Sequence, residues 1–203
     1  MIRRLVLLIG LMLLPLAAFA GQTILVFGDS LSAAYGLPRD AGWVSLLEKK
    51  LADEKPGWRV VNASVSGETT SGGLSRILPV LLDHKPSIVI LELGANDGLR
   101  GLAVEDAQRN LNKIMDACRK TKAKVLLVGM RIPPNYGLKY ASDFRMMYVD
   151  LANRNKAVLV PFLLDGVAGK PELIQPDGLH PVAKAQPRLL QNVWPGLQKL
   201  FTR

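Results

Sequence analysis

The chain has 203 residues, a formal net charge of +9 from 26 basic and 17 acidic side chains, and hydrophobic residues over 49% of its length, enough for one domain with a substantial core. Its basic residues fall in stretches such as Glu48-Lys49-Lys50 and Arg119-Lys120-Thr121-Lys122 and form no block interleaved with aromatics, which excludes nucleic acid as a partner. Cys118 is the single cysteine, so an internal disulfide is excluded as well, and its place in a helical apolar stripe assigns it to the core.

Residues 1–20 place Arg3 and Arg4 ahead of an apolar run that ends in Ala18-Phe19-Ala20. This is the pattern of a secretory signal with a small-x-small cleavage site, and the apolar run is short of the ~20 residues that a transmembrane helix needs. Cleavage after Ala20 is expected, leaving no stable membrane anchor and sending the product to the periplasm or the medium. It removes two arginines and no acids, which takes the charge from +9 to +7. No repeat, low-complexity segment or polar linker divides residues 21–203, so they are read as a single domain.

Strand-type runs are expected at 23–27, 59–62, 87–93, 124–129 and 157–160. The third, S-I-V-I-L-E-L, is nearly continuous in apolar residues, as suits a strand buried on both faces. Helical patterns are expected near 42–54, 70–82, 104–121, 139–155 and 187–200. In the third of these Val104, Ala107, Leu111, Ile114, Met115 and Cys118 recur at three and four residues. Strand and helix alternating with connections too long for hairpins predict an α/β fold, a parallel sheet covered by helices on both faces. Functional residues of such sheets stand just beyond the carboxyl ends of the strands.

There the sequence offers Gly28-Asp29-Ser30-Leu31-Ser32 after the first strand, Ser66-Gly67-Glu68 after the second, Gly94-Ala95-Asn96-Asp97-Gly98 after the third, and Asp177-Gly178-Leu179-His180-Pro181 after the fifth. A serine hydroxyl needs a base to become a nucleophile. The chain has two histidines, and His84 precedes the third strand at the amino edge of the sheet, which leaves His180 as the candidate. Asp177, three residues before it, is spaced to accept the Nδ1 proton and leave Nε2 free to deprotonate Ser30. The oxyanion needs donors in place, which the Gly67 N–H, the Asn96 side-chain amide and, if Ser30 opens the following helix, its own N–H can supply. Taken singly, Gly67 also reads as an ordinary loop glycine, Asn96 as the start of an Asx turn, and D-G-L-H-P as a turn before a helix. Asp29 and Asp97 are read as holding the loops through backbone hydrogen bonds, and Glu92 as a strand residue that some polar partner must satisfy. The segment Gly98-Leu99-Arg100-Gly101-Leu102 sets exposed apolar residues between glycines, as a loop able to move over an acyl chain would; a rigid turn into the next helix is the alternative.

Together the four blocks resemble the SGNH hydrolases, the GDSL branch of the serine esterases and lipases, over essentially all of residues 21–203. The resemblance matches Ser30, Gly67, Asn96 and His180 to the four residues of the family name, with Asp177 as the third triad member. V-V-N-A-S-V-S-G-E-T-T, L-E-L-G-A-N-D-G-L-R-G, P-P-N-Y-G and D-G-L-H-P point within it to the periplasmic enzymes that act on acyl thioesters, lysophospholipids and aryl esters. Ala95 departs from the family pattern where a second glycine is expected. The resemblance implies a three-layer, flavodoxin-like sandwich with strand order 2-1-3-4-5, small-molecule acyl esters as substrates, a monomer, and neither metal nor cofactor. His84 and Cys118 are too far apart in sequence to suggest a zinc site. Two other readings are a carbohydrate O-deacetylase with the same triad and a periplasmic solute-binding α/β protein. The latter lacks support, since no Gly-rich phosphate-binding motif follows a strand.

Overall fold

The computed structural model describes residues 22–201; the secretory signal and cleavage site expected at 1–20 lie outside them. Five strands form one parallel sheet: β1 (Gln22–Gly28), β2 (Trp58–Asn62), β3 (Ile88–Glu92), β4 (Lys124–Val128) and β5 (Val158–Val160), in the order β2-β1-β3-β4-β5. The α/β architecture and strand order are those expected. All of β3 and Ile24 to Phe27 of β1 are buried, because helices cover both faces and leave no solvent side for polar residues to alternate toward.

Helices α2 (Thr70–His84), α4 (Val104–Lys120) and α5 (Leu138–Asn155) pack in sequence on one face, and α1 (Trp43–Glu54) with α6 (Gln186–Gln198) on the other. In α4 the buried residues are Ala107, Leu111, Ile114, Met115 and Cys118, the stripe read from the sequence apart from Val104, which is half-buried against the core. Glu105 and Asp106 in its first turn and Arg119 and Lys120 in its last complement the helix dipole. Truncating one such core leucine, Leu111 to alanine, removes about 2–5 kcal/mol by the usual cost of a cavity.

The chain runs from β1 outward to β2 and then crosses back past β1 to β3 and on to β4, so the connections after β1 and β3 leave the sheet on opposite sides. A crevice opens between them at the carboxyl edge. Two local expectations fail here. No helix starts at Ser30, because residues 29–36 form successive turns with Ala34 at φ 58°, and α1 begins only at Trp43. Residues 95–99, read as loop, form one helical turn, α3 (Ala95–Leu99), entered through Gly94 at φ 119°. At Gly94 a side chain would also collide with the Tyr148 hydroxyl.

Candidate active site

The serine turn is built on Gly28. A Cβ there would lie 2.6 Å from Glu92 Oε2 and 2.8 Å from the Glu92 carbonyl oxygen, so β1 can run this close to β3 only with glycine. Beyond it the Ala33 N–H donates to the Asp29 carbonyl (3.0 Å), the Tyr35 N–H to that of Ser30 (3.2 Å), and the Leu31 N–H to Asp29 Oδ1 (3.0 Å). The N–H of Ser30 has no acceptor among the described residues, nor has that of Gly67, which sits at φ 78° on the β2–α2 connection. Both residues line the same cavity. Ser30 thus exposes its N–H from a turn rather than from a helix end.

His180 arrives on the long connection between β5 and α6, closed by a bridge between Ile174 and Pro181 and by the Gln175 N–H donating to the His180 carbonyl (2.7 Å). Asp177 divides its carboxylate between two tasks. Oδ1 accepts the N–H groups of Leu179 (2.9 Å) and His180 (3.0 Å), and Oδ2 lies 2.6 Å from His180 Nδ1. The two backbone donors, His180 first, lower the carboxyl to about 2, so it is ionised and holds the Nδ1 proton. His180 Nε2 is 2.8 Å from Ser30 Oγ, across 150 residues of chain. The Tyr35 ring packs against the imidazole at 4.5 Å between centroids. Ser30, His180 and Asp177 are therefore brought into one hydrogen-bonded line, whereas His84 closes α2 at the opposite edge of the sheet.

The Asn96 amide donates to Asp29 Oδ2 (3.2 Å) and to the Glu68 carbonyl (3.0 Å), which holds it beside the serine turn. Beneath it, Glu92 Oε2 accepts from the Ser32 hydroxyl (2.7 Å) and the Asp29 N–H (3.3 Å), supplying the partner that a buried carboxyl on β3 requires. Burial pushes Asp29 up to about 7, against the lowering pull of its Leu31 and Asn96 hydrogen bonds. Burial, with the neighbouring Asp29, raises Glu92 well above the usual carboxylate range. Asp97 takes the N–H (2.8 Å) and hydroxyl (2.6 Å) of Thr70, fixing the start of α2 to the asparagine block. Asp29 and Asp97 thus hold loops, as read from the sequence.

A cavity of about 390 Å³ opens beside Ser30 and His180, within the usual range for a small-molecule site. Beyond the polar end its walls are apolar, with Leu99, Met130, Ile132, Phe162, Leu164 and Ile174 among them. Of the residues expected on an acyl-covering loop only Leu99 lines it. Gly98 is buried, its hydrogen standing where a Cβ would overlap Ile132 and Phe144, and Leu102 points to solvent. Gly98 is thus a packing glycine rather than a hinge. Sequence reading missed Tyr35 and Gln175. The Gln175 amide donates to the carbonyls of Tyr35 (2.9 Å) and Pro181 (3.0 Å), tying the serine turn to the histidine loop.

A doubly wound parallel sheet that brings serine, histidine and aspartate within hydrogen-bonding distance at its switch point, beside an apolar cavity, has the layout of an ester hydrolase. The chain belongs to the GDSL-like lipase/acylhydrolase family, whose model matches residues 26–186. Esterase TesA of Pseudomonas aeruginosa is 52% identical over 182 residues, 90% of either chain, and a crystal structure of TesA, 52% identical, superposes with a TM-score of 0.86, covering 88% of this chain and 99% of its own. Thioesterase 1/protease 1/lysophospholipase L1 of Escherichia coli K12 is 41% identical over 177 residues, 87% of this chain and 84% of its own. The esterase EstA from Pseudoalteromonas sp., in a structure inhibited by monoethylphosphonate, is 40% identical with a TM-score of 0.85, covering 90% of this chain and 100% of its own.

Proposed function

We propose that the protein hydrolyses fatty acyl esters and thioesters, with Ser30 as nucleophile, His180 as general base and Asp177 as the group that orients it. The observation that carries this reading is the Ser30–His180 hydrogen bond of 2.8 Å at the polar end of the apolar cavity. Ser30 Oγ attacks the acyl carbon as its proton passes to His180 Nε2, and Asp177 stabilises the imidazolium through Nδ1. The oxyanion is received by the Ser30 and Gly67 N–H groups and by the Asn96 amide, which exchanges one of its two present acceptors, Asp29 Oδ2 or the Glu68 carbonyl, for the oxyanion. Collapse gives the leaving alcohol or thiol the proton from Nε2 and leaves an acyl-serine. Water then attacks the acyl-serine, giving its proton to Nε2, and the acid departs as Ser30 recovers its hydrogen.

The apolar walls favour a fatty acyl chain over the acetyl group of a carbohydrate O-deacetylase, whose site would be a shallow polar cup. Lysophospholipids, acyl thioesters and aryl esters fit this description, and the names of the similar proteins lie in the same range. The segment at 1–20 supports cleavage after Ala20 and action in the periplasm, where acyl-CoA from the cell interior does not reach the enzyme. A series of p-nitrophenyl esters from acetyl to palmitoyl tests the reading. kcat/KM is expected to rise from acetyl to an optimum at longer acyl chains and to vanish in Ser30→Ala. A fall from acetyl onward would favour the deacetylase, and no hydrolysis of any ester would remove the assignment.

A further inference from the structure

Among the described residues nine large apolar side chains are exposed, and six of them stand at the carboxyl edge of the sheet: Tyr35, Val65, Leu102, Tyr136, Leu138 and Leu179. Each of the five connections that leave the strands contributes at least one, Leu138 opening α5 directly after the fourth. The other three, Leu78, Leu82 and Met146, lie within α2 and α5. The six share the sheet edge at which the cavity opens. Tyr35 and Leu179 line the cavity, Val65 adjoins the lining residues Ser66 and Gly67, and the Tyr136 hydroxyl donates to the carbonyl of Leu99, itself a wall residue (3.1 Å). The Tyr140 hydroxyl, in the first turn of α5, fixes the Leu102 carbonyl in the same way (2.8 Å). Leu138 is 79% exposed and touches the cavity nowhere, so acyl binding does not account for it. An apolar collar of this kind marks an interaction surface.

The charges of the same five connections indicate what it meets. Asp29 and Asp97 are buried, Glu68 pairs with Arg76, Asp165 with Arg188 (3.3 Å) and Asp177 with His180, so Asp40 and Glu172 are the acids left over among the described residues. Arg39, Arg100, Arg131, Lys170 and Lys184 are exposed and pair with no carboxylate. Arg100 donates to the Gly67 carbonyl (3.1 Å) and Arg131 lies over the Phe162 ring (4.9 Å), both beside the mouth. The collar therefore combines side chains that can enter an acyl–headgroup boundary with cations that complement anionic headgroups.

We propose that this edge docks the enzyme on an anionic phospholipid surface, with the cavity mouth facing the lipid. Docking would let an amphiphilic ester pass from the lipid layer into the apolar cavity with little exposure to water, and for that purpose alone the proposal rests on the acyl-ester reading above. No helix among the described residues is long and apolar enough to cross a membrane, so the contact is peripheral and reversible.

Residues 21–203 contain every described strand and helix and the whole core, and serve for the test as the Ser30→Ala variant, which spares the lipid. Co-sedimentation is measured with vesicles of phosphatidylcholine alone and with about a third phosphatidylglycerol. Binding to the anionic vesicles is expected, weakening with added salt and falling about fivefold for each of Arg39→Gln and Lys170→Gln, the factor for one surface cation. Leu138→Asp and Val65→Asp, which do not line the cavity, should each lower it about tenfold. In the Ser30-containing chain these two variants should leave turnover of a soluble short-chain ester unchanged, so a failure of the catalytic reading shows separately. Leu78→Asp and Leu82→Asp, also exposed but on α2, should bind like the parent. Absence of binding to anionic vesicles, equal losses in the α2 variants, or a concentration-dependent dimer that Leu138→Asp dissolves would overturn the proposal, the last by showing a second copy on this face.

Discussion

Replacing Asp177 by asparagine exchanges one oxygen for an NH₂ group, and the geometry determines which way the amide settles. With its oxygen kept on the Leu179 and His180 N–H groups, now at 2.9 and 3.0 Å, the amide turns its NH₂ toward His180 Nδ1, now 2.6 Å from a carboxylate oxygen. Nδ1 must then accept, so the proton moves to Nε2, which can no longer take one from Ser30. The flipped amide restores the correct tautomer but turns donors toward two donors, a loss of roughly 2–3 kcal/mol. Only about one molecule in a hundred would hold it, and that fraction lacks the negative charge that stabilises the imidazolium. A loss of about 10⁴ in kcat follows, the cost of the same exchange in the Ser-His-Asp proteases. The assay is steady-state hydrolysis of p-nitrophenyl butyrate at neutral pH, with thermal melting alongside. The melting temperature should fall less than in Asp177→Ala, because the asparagine keeps both backbone bonds and loses only the carboxylate charge, whereas alanine loses all of them. Retention of more than a tenth of kcat in Asp177→Asn would refute the orienting role.

Asn96→Ala should lower kcat roughly 10²- to 10³-fold with little change in KM, as loss of one oxyanion donor does; a rise in KM alone would make Asn96 a substrate contact instead. Gln175→Ala should lower kcat about tenfold with KM nearly constant, because the serine turn and histidine loop lose their link, and Gln175→Glu should not restore it, since a carboxylate cannot donate to the two carbonyls. Asp29, ordinarily 3.8 but about 7 in the fold, contributes stability that is fully present below 3.8 and lost as pH rises toward 7; Glu92 is shifted the same way. Asp177, lowered from 3.8 to about 2, acts in the opposite sense, its contribution present above 3.8 and lost as pH falls through 2. Urea midpoints should therefore fall from pH 4 to 7, and Glu92→Gln, which keeps an acceptor for Ser32 but cannot ionise, should flatten that slope; an unchanged slope would show that Glu92 does not contribute to it.

The strands and the four site blocks were legible because their signals are local. A run such as S-I-V-I-L-E-L fixes a buried strand, and the residues just beyond five such runs are where a parallel sheet gathers its chemistry. With only two histidines in the chain, position relative to a strand was enough to choose His180. What escaped depends on partners far away in sequence. The Gln186 side chain caps α1 by accepting the Trp43 N–H (3.0 Å) from 143 residues away, and Gln175 reaches the Tyr35 carbonyl across 140. Neither glutamine carries a local mark of that role. The serine turn misled for a similar reason, since its backbone path is set by Glu92 taking the Asp29 N–H and the Ser32 hydroxyl from β3, and not by helix propensity in residues 30–36. Gly98 looked like a hinge because glycine serves both mobility and close packing, and only Ile132 and Phe144 beside it show which.

The central claim is that Ser30 is the nucleophile activated by His180. A fluorophosphonate that reacts with activated serines tests it most directly, followed by peptide mapping of the modified protein by mass spectrometry. A single adduct on Ser30 is predicted, formed in step with the loss of esterase activity and absent from His180→Ala. An adduct on Ser32 or Ser66, or full activity in protein whose Ser30 is quantitatively modified, would contradict the account.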